Sequence, residues 1–118
     1  MTTQQFITKL KATPTAIVFS ETIATIDSSY NFTPTTFKNG TTINKAGENS
    51  GSCKVFAFAK LENLTKEETL FCFGEHYQNV LDDANGTSHQ NIRNFMEFGF
   101  EGLAFEGISL HKKNNTSK

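Results

Sequence analysis

A chain of 118 residues, with 11 Lys+Arg against 12 Asp+Glu, has the length of one domain and no room for two independent cores. The balanced charge forms no basic stripe, which argues against a general nucleic-acid binder, because phosphate neutralisation supplies most of such a protein's affinity. No segment approaches the length of a membrane span and no apolar leader opens the chain, so the expectation is a cytoplasmic protein without membrane insertion.

The elements follow in chain order. Phe6, Ile7 and Leu10 define a short amphipathic helix capped by Thr2 or Thr3, interrupted at Thr13-Pro14. Phe19, Ile23, Ile26 and Tyr30 fall at helical spacing, and Ser20 is the N-cap expected for a helix over 20–30. From Phe37 to Ile43 the pattern is a β-hairpin turning on Asn39-Gly40, followed by a loop over Lys45–Gly51. Ser52 to Leu64 is almost solidly apolar. Its length, its alanines and the serine at its start favour a buried central helix over a strand.

Thr65 and Glu68 form a capping box for the next helix, whose apolar face is Leu70, Phe73, Tyr77, Val80 and Leu81. Gly74 inside that helix costs about 1 kcal/mol against Ala. Asp82–Gly86 is a turn. Thr87 and Gln90 make a second capping box, opening a helix that Gly99 stops. Leu103, Phe105, Ile108 and Leu110 alternate around Glu106-Gly107 as a second hairpin. The fold class expected is α+β: a mainly helical single domain over 3–111 with about five helices, its two hairpins joined in one small antiparallel sheet because an isolated hairpin is marginal in water. Residues 112–118 read as a disordered polar tail. With 12 Phe, no Trp and 2 Tyr, flat rings must supply much of the core.

The chemistry-bearing residues gather at two expected helix starts. Cys53, in the first turn of the central helix, meets free N–H groups and the helix dipole, which favour a thiolate, and Lys54 adds to that. His89, in the first turn of another helix, is the base that such a nucleophile needs. The alternative is that Cys53, like Cys72, is a small buried hydrophobe with a reduced thiol. Asn49, Ser52, Asn91 and Arg93 are candidate ligand-binding residues if the two helix starts face each other, with Arg93 gripping a carboxylate or phosphate at two points. The plainer reading is that Asn91, Arg93 and Asn94 tie down the Lys45–Gly51 loop. His76, His89 and His111 lack metal-ligand spacing, so no metal is expected, and no Gly-rich phosphate loop or other cofactor signature is present.

Taken together, the stretches Phe32-Thr33-Pro34-Thr35, Phe37 with Asn39-Gly40, Asn44 through Lys54, Phe73-Gly74-Glu75 and His89 through Met96 resemble the HopJ family of small bacterial proteins, named as type III secretion effectors. The similarity runs from about residue 5 to residue 111. The family pattern has an aromatic such as Tyr where His76 stands and Trp where Phe100 stands. The resemblance implies secretion into host cells and a protein partner, and it supplies no catalytic residue. Two functions follow as expectations: a non-enzymatic interaction module, or a small enzyme or anion-binding protein using Cys53 with His89 and Arg93.

Overall fold

A computed structural model describes residues 1–113 of the chain. The apolar run forms the central helix α3 (Ser50–Leu61), on which Val55, Phe56, Phe58 and Ala59 are all fully buried. A helix apolar on every side is stable only when it is surrounded. Phe58 packs edge-on against Phe6 and Tyr30, with ring centroids 6.0 and 6.1 Å away. Phe56 meets Phe37, Phe73 and Phe95 at 6.1, 5.4 and 4.9 Å. Two rings of one helix thus organise two halves of the core, which accounts for the phenylalanine surplus; each such aromatic pair adds roughly 0.5–1.5 kcal/mol beyond its buried area.

Five further α-helices surround α3: α1 (Thr3–Ala12), α2 (Phe19–Ser29), α4 (Lys66–Phe71), α5 (Glu75–Asp82) and α6 (Gln90–Phe98). α1 starts at a capping box in which Thr2 and Gln5 exchange side-chain-to-backbone bonds, and Thr65 with Glu68 does the same for α4. α2 differs from expectation. Ser20 lies inside it, and the Phe19 N–H is taken instead by the Glu75 carboxylate of α5 at 2.8 Å. The single helix expected from Thr65 to Leu81 is two, α4 and α5. Gly74 breaks it with φ +56°, and a Cβ there would stand 2.6 Å from the Phe19 nitrogen and 2.8 Å from the Ile17 carbonyl. The glycine is needed because the backbone before α2 passes directly over it.

The strands are β1 (Tyr30–Phe32), β2 (Phe37–Asn39), β3 (Thr42–Asn44), β4 (Leu103–Phe105) and β5 (Leu110–Lys112). β2 and β3 are the expected hairpin, but Asn39 pairs with Thr42, so the turn is Gly40-Thr41 rather than Asn39-Gly40. Gly40 alone has positive φ there, as a type II′ turn requires. The second hairpin is not formed. β4 adds antiparallel to β2, giving the order β3-β2-β4, whereas β5 pairs with β1 in a separate two-stranded sheet. Stacking of Phe105 on Phe37 at 5.5 Å and burial of Leu110 decide those partners. The fold class is α+β, with two small antiparallel sheets in place of one. Lys112, expected in the polar tail over 112–118, belongs to β5, and residues 114–118 lie outside the described residues. Among the described residues no helix is long and apolar enough to cross a membrane.

Candidate functional site: a cleft between two helix starts

The first turns of α3 and α6 open onto one cleft of about 250 Å³. Asn49, Ser52, His89 and Asn91, four of the residues singled out in the sequence, line it, together with His76 and Gln90 and the rings of Phe19 and Phe73. Gly51 lets this wall close up, since a Cβ there would sit 3.0 Å from the Phe19 ring. The rings form a ladder: Phe73 stacks with Phe19 at 6.1 Å, Phe19 meets His76 edge-on at 4.8 Å, and His76 lies 5.0 Å from His89.

Neither helix starts at a side-chain cap. The N-cap residues Asn49 and His89 both adopt the left-handed conformation, with φ of 50° and 53°, and no side chain of the described residues accepts from either first turn. The expected box at Thr87 and Gln90 does not form; the cap is His89, two residues later, and α6 begins at Gln90. Arg93 is the reason. Its guanidinium bonds the Ser88 and Ala84 carbonyls, the latter at 3.2 Å, and draws the 84–88 loop back along the helix. Arg93 therefore anchors that loop, not Lys45–Gly51, and points away from the cleft.

Beneath the cleft lies a cluster of buried amides. The Asn91 side-chain oxygen accepts from Asn39 and Asn44 at 2.9 and 3.1 Å, and its nitrogen donates to Asn44 at 3.0 Å. Asn49 donates to the same Asn44 oxygen at 2.6 Å. Asn94 donates to the Asn39 carbonyl and to Thr42, and receives Gln90. The side chains of Asn49 and Asn91 are thus engaged in the framework. With those side chains engaged, the part of these positions left to the cleft is the main chain of two helix starts, with Ser52 and the two histidines beside it.

The electrostatics run one way. No carboxylate lines the cleft; of the two acids next to its lining residues in the chain, Glu48 accepts from the Lys45 N–H at 2.9 Å, and Glu75 from the Phe19 N–H, which holds the Glu75 carboxyl below the usual range. Two N-terminal helix dipoles and a set of donors therefore face the same space, an arrangement that suits negative charge.

Cys53 is not part of it. Its side chain is 1% exposed and turns the other way, its thiol donating to Ser109 Oγ at 3.4 Å and toward the Thr35 carbonyl at 3.8 Å. Burial pushes this thiol up, outweighing those two contacts. The thiolate expected from the first turn is not met, because the side chain lies on the core face of α3. Cys72 is buried as well, its thiol pushed up to about 12 chiefly by burial. Among the described residues no group of three or more His, Cys, Asp or Glu is placed to hold a metal ion.

Sequence reasoning missed His76 and Phe19 as cleft residues and Asn39 and Asn44 as its floor. The hairpin alternation carries a signal for the last two. Asn39 shares the inward face with Phe37, and Asn44 pairs opposite Phe37, so two amides stand at positions that a sheet ordinarily fills with apolar side chains.

Fold and cleft together define a small α+β domain that presents a donor-lined recess at converging helix starts. The chain belongs to the HopJ type III effector protein family, whose model matches residues 3–110. It is also similar to the crystal structure of a protein described as "unknown function protein VPA0580", with 50% identity, 96% of this chain and 95% of that one covered, and a TM-score of 0.94. Comparison with curated proteins finds no match.

Proposed function

We propose that this chain is a non-enzymatic binding module whose site is the cleft between α3 and α6, and that the group bound there is an anion of the phosphate or carboxylate class. The observation that carries this reading is the convergence of two uncapped helix starts on a recess lined by His76, His89 and Ser52 and by no carboxylate. Backbone N–H groups at a helix N-terminus bind anions through aligned donors and the dipole together. Burial of Cys53 beside Ser109 takes the thiol out of the recess and removes the Cys53–His89 pair that the catalytic alternative needs, which favours binding over catalysis. The effector family supports an acidic segment of a partner protein as the source of the anion; a free small anion has the same chemistry.

Titration of the folded chain with inorganic phosphate, and separately with an acidic peptide, followed by amide NMR, tests the reading. Shifts centred on Ser50, Gly51, Ser52, Gln90 and Asn91, weakened in His89→Ala, are expected. Saturation by the peptide alone points to a protein partner, and saturation by phosphate alone to a free anion. Unmoved amides at both helix starts with either probe overturn it.

A further inference from the structure

The sequence holds two Asn-Gly steps, Asn39-Gly40 and Asn85-Gly86, and the fold treats them in opposite ways. Asn-Gly is the step most open to intramolecular deamidation, because glycine puts no side chain in the way of its own nitrogen. The Gly nitrogen attacks the Asn Cγ and forms an N–Cγ bond. The Cγ–Nδ2 bond breaks, and ammonia leaves with the proton of the glycine N–H. Water then opens the cyclic imide at one of its two C–N bonds. One opening gives aspartate; the other gives isoaspartate, whose main chain runs through Cβ and Cγ and is one methylene longer.

At Asn39 every participant is held. The residue is fully buried, its Nδ2 donates to both the carbonyl and the side-chain oxygen of Asn91 at 2.9 Å, and the Gly40 N–H is tied to the Gly102 carbonyl at 2.9 Å. Reaction there requires the three-stranded sheet to come away from α6. Asn85 is exposed, and its side chain makes no hydrogen bond among the described residues. The restraints are those of a surface turn: the Gly86 N–H donates to the Asp83 carbonyl at 2.9 Å, and the Arg93 guanidinium holds the neighbouring Ala84 carbonyl at 3.2 Å. Opening a surface turn costs far less than opening a core element.

We infer that Asn85 is a site of spontaneous modification, converting to aspartate and isoaspartate in the folded protein while Asn39 is protected by its burial against α6. The site lies in the 84–88 loop that Arg93 holds and that leads directly into His89. Isoaspartate lengthens the backbone there and adds a carboxylate to the loop that sets the position of the His89 cap. Loss of anion affinity on ageing follows; this last step rests on the binding reading above.

Incubation of the full folded chain in mildly alkaline buffer, with isoaspartyl methyltransferase labelling and peptide mapping, tests the assignment. Conversion at Asn85 is expected to outpace Asn39 by more than about tenfold, a factor that corresponds to about 1.4 kcal/mol of opening free energy. In urea the two sites should converge. Equal rates in the folded chain overturn the assignment, as does an inert Asn85 in folded protein whose unfolded form reacts at both sites. Asn85→Gln should remove the signal at that peptide with the fold intact by circular dichroism; persistence of the signal there also overturns it. Phosphate titration of fresh and aged protein separates the two claims. Equal binding refutes the effect on the cleft; failure of both fresh and aged protein to bind phosphate, with the acidic peptide failing as well, refutes the binding reading while leaving the modified site standing.

Discussion

The helix starts of this protein are of two kinds. At α1 and α4, Thr2 with Gln5 and Thr65 with Glu68 close reciprocal capping boxes, so first-turn donors are satisfied within the segment itself. At α3 and α6 a residue with positive φ stands at the cap, and no described side chain takes the first-turn donors. The difference separates two tasks. A boxed start serves the helix, whereas an open start leaves its N–H groups facing outward, and here both open starts face one recess. Left-handed Asn and His cost backbone energy that a serine cap would not. The bonds that link Asn49 to the buried Asn44 and Asn91, together with the Arg93 clamp, hold that geometry in place.

Substitutions break or sharpen this contrast, and the largest effect is expected at α5, another start without a side-chain cap. Gly74→Ala should cost about 3 kcal/mol or more, since a Cβ there meets backbone atoms and φ is positive; urea denaturation measures it. Next comes Asn91→Ala, which strips partners from Asn39 and Asn44 together. A loss of about 2–3 kcal/mol is expected, because the buried Asn44 amide nitrogen is left unpaired while Asn39 keeps only the Asn91 carbonyl, and the open start of α6 should lose anion-induced shifts as well.

At the boxed start, Thr65→Ala should lower stability by about 1 kcal/mol and leave those shifts unchanged. The same box predicts a pH effect. Glu68 accepts from Lys11 at 2.7 Å and from the Thr65 N–H at 2.9 Å, which holds its carboxyl below the ordinary 4.5. The folded state prefers the ionised form, so this contribution is complete above pH 4.5 and is lost as pH falls through the lower folded value. Glu68→Gln should therefore flatten the acid limb of the stability profile, read from urea midpoints across a pH series. The smallest stability change belongs to His89→Ala, within about 0.5 kcal/mol because no capping bond is lost. The same variant should weaken phosphate binding, an opposite pattern to Thr65→Ala.

How far the sequence could be read follows from whether the deciding forces were local. The Thr65 box and the Gly99 stop were legible because their partners lie within a few residues. The identical signature at Thr87 failed because a competing partner, Arg93, was on the helix itself. The break at Gly74 and the start of α2 at Phe19 depend on each other across more than fifty positions, so neither was visible alone. The alternation after Leu103 identified strands correctly but not their partners, which Phe37 and Tyr30 supply from the first third of the chain. At the site, Asn49, Ser52, His89 and Asn91 stood out from their places beside helix starts. The outward turn of Arg93 and the inward turn of Cys53 are decided by packing, which no spacing rule records.

The pairing of β5 with β1 has a consequence for how the chain comes to its native state. Leu110 lies opposite Phe32 and Lys112 opposite Tyr30, so a two-stranded sheet joins the first third of the sequence to its last described turn. During synthesis β1 has no strand to pair with until Leu110–Lys112 has left the ribosome. Closing so long a loop is slow relative to local helix formation. The helices around α3 are thus expected to gather first, with the β1–β5 clasp closing last, and a chain cut short before Leu110 should leave β1 as an unpaired edge prone to self-association.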